Sequence, residues 1–275
     1  MDIRLIAFDL DGTFLDSDKN IPPANLRALE AAAAKGVLLV PATGRIYKGL
    51  PEPLRTLPFF RWYITANGAY VYDAQEDRAV ARAEIPLERA LEFYRLADEM
   101  GVLYDCYQDN WGYMSAWMLE EAQRLIPDEH VRQLIRTLRS PVPELKAFLQ
   151  QKGADVQKLQ LYFTDPAQRL QALEELPKRF EDLSISTSFF CNIEINARKA
   201  TKGIALHALC EVLGLDPAQT MGLGDGTNDL SLLRMAGVGV AMANADPAVR
   251  AAADFITADN NAAGFAAAVE RFVGL

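Results

Sequence analysis

The sequence predicts an α/β protein, a parallel sheet covered by helices, with a second α+β domain inserted into it. Three observations carry this expectation. Short apolar runs alternate with helical patterns at both ends of the chain, the rhythm of a parallel sheet covered on both faces. The middle reads differently, with longer helical stretches among strands whose apolar and polar residues nearly alternate. The 275 residues also suffice for two ordinary domains.

Leu5–Phe8 is the first strand candidate. A helix follows from Pro22 or Pro23, where proline suits the first turn, and stops at Gly36. Val37–Val40 and Trp62–Thr65 are the second and third buried-strand runs. In the middle, Leu87–Met100, Glu120–Leu138 and Pro166–Phe180 read as helices. In "VQKLQLYF", from Val156 to Phe163, the near alternation predicts a sheet with one wet face. The first pattern then returns: a helix over Thr201–Leu213 stopped by Gly214, a strand over Thr220–Leu223, a helix after Asn228 and a strand over Val238–Ala241. The expected core therefore comprises residues 1–83 and 191–275, and the insertion residues 84–190.

Composition narrows the partners. Hydrophobic residues make up 50% and charged residues 24%, the balance of a globular enzyme or binding protein. A net charge of −9 offers no basic footprint for nucleic acid or an anionic membrane, so an anionic ligand would need a few local cations or a metal. Cys106, Cys191 and Cys210 lie far apart, which fits unpaired thiols in a reducing compartment. The start "MDIR" is not that of a signal peptide, and no run approaches the ~20 apolar residues of a membrane span. A cytoplasmic protein is expected.

Candidate chemistry lies where strands end, the place where open α/β sheets bind ligands. "DLDGT" puts Asp9 and Asp11 behind the first strand, and residues two apart on an extended chain point to one side. An ordinary turn remains the alternative, since Asp and Gly favour turns. A calcium loop aligned on Asp16 fails, because its glycine and glutamate positions hold Ile21 and Arg27. "PATGRI" offers the Thr43 hydroxyl, the Gly44 amide and the Arg45 guanidinium to an anion, or is a simple strand-to-loop turn. "KATKGI" sets Lys199 and Lys202 against a helix dipole, which suggests an anion unless these are solvated lysines. "GLGDGTNDLSLL" fails as a dinucleotide loop, because Thr227 stands where the third glycine belongs. Its Asp225, Asn228 and Asp229 suit a hard cation such as Mg²⁺.

Taken in order, "FDLDGTFLD", "TGR", "TKG" and "GDGTNDLSLL" resemble the four motifs of the haloacid dehalogenase-like phosphatases. "ITANGAYV", "VAMANADPAVRAAADFIT" and "NNAAGFAAAVERF" are similar to the Cof-type branch, which carries a large α/β cap. Ala243 in "MANA" departs from the family pattern, where glycine is frequent, and Lys202 fits the family lysine better than Lys199. The resemblance implies a Rossmann-like core with a cap, and Mg²⁺-dependent hydrolysis of phosphate monoesters through an aspartyl-phosphate. It implies Asp9 as nucleophile and Asp11 as acid and base. The metal would be held by Asp9, Asp225 and the Asp11 carbonyl, with Asp229 and Asn228 supporting the site. Thr43, Gly44, Lys202, Asn228 and Arg45 would face the phosphate. Substrates would be small phosphorylated metabolites, sugar phosphates foremost, handled by a monomer or small homo-oligomer.

A phosphomutase or a non-catalytic metabolite sensor stays open on the same motifs. In the insertion, Tyr107, Trp111, Tyr113 and Trp117 either line a sugar-sized pocket or form the domain's own core, and Arg198 is a further candidate anion contact. His130 and His207 read as ordinary helix residues without zinc-ligand spacing.

Overall fold

The computed structural model describes residues 2–274. They divide into two compact units, one formed by residues 2–45, 50–82 and 201–274, the other by residues 46–49 and 83–200. Among the described residues no helix is long and apolar enough to cross a membrane.

The first unit is built on a five-stranded parallel sheet, in the order Phe255–Ile256, Val238–Ala241, Thr220–Gly224, Leu5–Phe8, Leu38–Pro41. Leu5–Phe8 is buried throughout and central, as expected of a short apolar run in a sheet covered on both faces. Sequence order reverses beside it: the chain first builds outward to Leu38–Pro41 and later returns through Thr220–Gly224 on the other side. Such a switch point opens a crevice at the carboxyl ends of the strands. Trp62–Thr65 does not join this sheet as a full strand. It starts a three-stranded antiparallel sheet with Tyr70–Asp73 and Arg78–Arg82, and is tied beside the parallel sheet where Ala42 pairs with Ile64, the Thr43 amide donates to the Ile64 carbonyl at 2.8 Å, and Phe60 ahead of it pairs with Leu39.

The helices follow their local signals. Pro23 opens the Pro23–Ala34 helix in its first turn. Thr201 caps the Lys202–Leu213 helix, its hydroxyl accepting from the Ile204 amide at 3.2 Å, and left-handed Gly214 ends it. Phe8, Phe14 and Phe265 pack ring against ring at 5.0–5.2 Å behind the first strand, and Asn25 bonds the Phe14 carbonyl at 2.8 Å. These contacts anchor both ends of the loop that carries Asp9 and Asp11.

The second unit has a six-stranded mixed sheet, ordered Leu183–Ser186, Asn192–Ala197, Lys158–Tyr162, Leu103–Gln108, Trp111–Ser115, Arg139–Val142. It reaches Ala200, beyond the expected end at residue 190, because Asn192–Ala197 pairs with Lys158–Tyr162 and Leu183–Ser186. The expected Glu120–Leu138 helix is two helices, Ala116–Leu125 and Glu129–Leu138. Pro127 disfavours continuation, and Asp128 restarts the helix by accepting from the Val131 amide at 3.0 Å.

Lys158–Tyr162 has no wet face: every residue in it is buried. Its polar side satisfies itself. Asp105 accepts from Arg139 at 2.6 Å, Tyr162 at 2.7 Å and Gln160 at 3.1 Å, while Lys158 pairs with Glu194 at 2.9 Å. Buried charges persist only with such partners. The four aromatics do not share a wall either. Tyr107 pairs opposite Gly112, which puts it on the other face from Trp111 and Tyr113. Tyr113 packs on Phe148, Trp111 donates to Ser140 at 2.7 Å, and Trp117 is half exposed.

Candidate active site

Asp9 ends the first strand and stays in its ladder, its amide donating to the Leu223 carbonyl at 3.0 Å. Its carboxylate is buried and meets the Lys202 ammonium at 2.5 Å. Lys202 is fully buried in the first turn of its helix, and its Nζ also contacts Asp229 Oδ1 at 2.6 Å. One lysine thus bridges two carboxylates. Desolvation opposes its charge, but the two carboxylates outweigh it and hold the ammonium well above the ordinary lysine range.

Asp229 is fully committed. Besides Lys202 on Oδ1, its Oδ2 accepts from the amides of Asp225 and Gly226, each at 3.0 Å, which shapes the loop that presents Asp225. Asp225 in turn accepts from the Thr13 hydroxyl at 2.8 Å. Gly12 makes this approach possible: its φ is +81°, and a Cβ there would lie 2.3 Å from Asp225 Oδ2.

The two aspartates of "DLD" do not share a partner. After Asp9 the chain leaves the extended conformation, with the Phe14 and Leu15 amides both donating to the Leu10 carbonyl, so the two-residue period of a strand no longer applies. Asp11 turns to Arg45, which grips it in two-pronged fashion at 2.7 and 3.0 Å, and to Lys19 at 3.0 Å. Burial raises the Asp11 carboxyl, but the two cations outweigh it and hold the group below its ordinary value.

The remaining candidates close the surroundings. Thr43 is buried, its hydroxyl accepting from the Arg45 amide at 3.2 Å. Gly44 leaves room for Asn67, since a Cβ there would meet Asn67 Oδ1 at 2.8 Å. Exposed Asn228 donates to the same Oδ1 at 3.3 Å. Asn67 sits in left-handed conformation between Ala66 and Gly68, which share it, and its amide donates to the Thr43 carbonyl at 3.0 Å. Arg198 and Lys199 are exposed and belong to the second unit, where Arg198 bonds the Glu181 carbonyl. His130 and His207 lie on helices, His207 against the Met235 carbonyl at 2.7 Å. Ala243 has no left-handed backbone, so the departure from glycine is accommodated.

Sequence reasoning did not single out Thr13, Lys19, Asn67 or Asn244 for a role. Asn244 bridges the loops, donating to the Gly12 carbonyl at 2.8 Å and accepting from the Asn260 amide at 3.1 Å. The "NG" of Asn67–Gly68 behind a strand is a signal that could have found such a loop, because both residues tolerate left-handed backbone.

Carboxylate oxygens of Asp9, Asp225 and Asp229 lie within 4.8 Å of one another. Burial pushes Asp9 up to about 7 and Asp225 up to about 6, Lys202 opposing the rise at Asp9 and the Thr13 bond opposing it at Asp225. Buried, crowded oxygen donors of this kind fit a hard divalent cation such as Mg²⁺. With Asp229 already filled, Asp9 and Asp225 are the side chains fitted to touch it.

A pH dependence follows. Both carboxyls bind a proton more tightly folded than at the unfolded value near 3.8, so the stability they contribute is lost as pH rises through about 6 and 7. Without divalent cation, Tm should fall between about pH 5 and pH 8. Mg²⁺ should raise Tm more at the higher pH, where both carboxylates are charged. Thermal melts with and without Mg²⁺ at both values check this; equal Mg²⁺ shifts would contradict it.

Residues 6–269 match the haloacid dehalogenase-like hydrolase family. A 5-amino-6-(5-phospho-D-ribitylamino)uracil phosphatase of Bacillus subtilis is 30% identical, with 99% of this chain and 97% of that protein covered. Pyridoxal phosphate phosphatase of Escherichia coli is 31% identical, with 94% of this chain and 95% of that protein covered. A haloacid dehalogenase-like hydrolase from Bacteroides thetaiotaomicron superimposes with a TM-score of 0.81 at 27% identity, covering 98% of this chain and 99% of that one.

Proposed function

Because the chain belongs to the haloacid dehalogenase-like hydrolases, and among them to the Cof-type phosphatases, we propose that it hydrolyses phosphate monoesters of small metabolites, sugar phosphates foremost, in the cytoplasm. The observation that carries the reading is the Lys202 ammonium spanning Asp9 and Asp229, with Asp225 close by. In this reading the first unit is catalytic and the second is its cap. The named relatives support a small phosphorylated substrate, one acting on a phosphoribityl compound and one on pyridoxal phosphate.

An Asp9 oxygen attacks phosphorus as the bond to the leaving oxygen breaks, and Asp11 gives that oxygen a proton. Water then attacks the phosphorus of the aspartyl-phosphate and passes a proton to Asp11, releasing phosphate and restoring Asp9. Asp9, Asp225 and the Asp11 carbonyl would hold the Mg²⁺ of the family, which supplies positive charge against the repulsion between a carboxylate and a dianionic phosphate. Lys202 and Thr43 stabilise the phosphoryl oxygens. Asp229 positions Lys202 and the Asp225 loop, and Asn228 and Gly44 shape the phosphate side with Asn67.

A panel of alkyl and sugar phosphates assayed for inorganic phosphate should give turnover that needs Mg²⁺ and stops with chelator. Silence across the panel, or phosphate retained on an isomerised product, would overturn the hydrolase reading.

A further inference from the structure

Two cations converge on one carboxylate at the exposed side of the site. Arg45 occupies both oxygens of Asp11, and Lys19 shares Oδ1 at 3.0 Å. At Asp11 two cations meet one carboxylate, with Asp225, bonded to the neutral Thr13 hydroxyl, the next acidic group in electrostatic reach. Lys202, the other cation here, is already matched by two carboxylates in the interior. The side chains of Lys19 and Arg45 are 57% and 34% accessible, so both remain open to solute. The single, exposed Lys19 contact is weak enough to exchange with a competing anion, while the part-buried two-pronged Arg45 pair keeps its guanidinium edge-on to the same spot.

Lys19 is also presented, not trailing. It has left-handed backbone at φ 66°, unusual for a residue with a Cβ. Its amide donates to the Asp16 carbonyl at 3.0 Å, and the Asp16 carboxylate accepts from the Asn20 amide at 2.8 Å. Asn261 pins the turn at Ser17 through two bonds of 3.0 Å, and Asn260 holds the Leu15 carbonyl at the same distance. A fastened turn therefore delivers an ammonium to Asp11.

We propose that Lys19 and Arg45 form a subsite for a second anionic group on the leaving-group side, so that the favoured substrates are phosphate monoesters carrying a carboxylate or second phosphate a few bonds from the ester oxygen. This rests on the reading of Asp11 as the residue beside the leaving oxygen.

The test uses matched esters: 3-phosphoglycerate against glycerol 3-phosphate for the carboxylate, and ethylene glycol bisphosphate against its monophosphate for the second phosphate. Wild type should favour the anionic member by about tenfold in kcat/KM, carried by KM, the scale of one charge-assisted hydrogen bond. The pair with the larger preference identifies the anion. Lys19→Met should bring that ratio toward one, and Lys19→Arg should restore it. Turnover of both members without preference, or a Lys19→Met effect equal on both, overturns the subsite and leaves the phosphatase reading standing. No turnover of any ester by wild type overturns both.

Discussion

Asp9→Asn should lower kcat for phosphate esters by at least about 10³-fold without lowering Tm. The amide nearly matches the carboxylate in shape, and its oxygen can still accept from Lys202 across the 2.5 Å contact. What it lacks is the anionic oxygen that bonds to phosphorus. The stability side of the expectation comes from burial, which already pushes the Asp9 carboxyl up to about 7. A neutral side chain relieves that cost. Steady-state kinetics and melting curves on the same preparation separate the two effects. Near-normal turnover would remove Asp9 from the reaction.

Lys202→Met should act in the opposite way, on stability as strongly as on activity. Methionine roughly fills the volume but leaves Asp9 and Asp229 buried together without their shared ammonium. Removing one partner of a buried ion pair costs about 3–5 kcal/mol, roughly 10 °C in Tm for a unit of this size. Mg²⁺ should recover part of that loss, because a cation again sits among the carboxylates. An unchanged Tm would mean that the lysine carries no structural charge balance.

The strand ends were the legible part of the site. Asp9, Thr43, Asp225 and Lys202 each follow a local pattern, an apolar run and a turn or a helix start, and local patterns survive in one dimension. Pairings across the chain do not. Thr13 meets Asp225 and Lys19 meets Asp11 through loops whose course depends on Asn260, Asn261 and Gly12. Arg45 illustrates the difference: its place beside a strand end was readable as an anion contact, whereas the anion in the structure is Asp11 itself. In the second unit, alternation correctly separates two faces of Lys158–Tyr162 but says nothing of whether the polar face is wet. Asp105, Arg139 and Glu194, supplied by other strands, keep it buried. Pro127 and the capping Asp128 mark the break between two helices where the sequence pattern predicts one over Glu120–Leu138.

In the proposed mechanism Asp9 receives the phosphoryl group. Rapid quench of Asp11→Asn with an aryl phosphate and Mg²⁺, followed by peptide mass analysis, tests it most directly, because a phenolate leaves without the Asp11 proton while the second step, deprived of the acceptor of the water proton, is slowed. One phosphoryl group on Asp9 is the predicted result. A phosphoryl group on another residue, or turnover at the wild-type rate with no adduct, would contradict it.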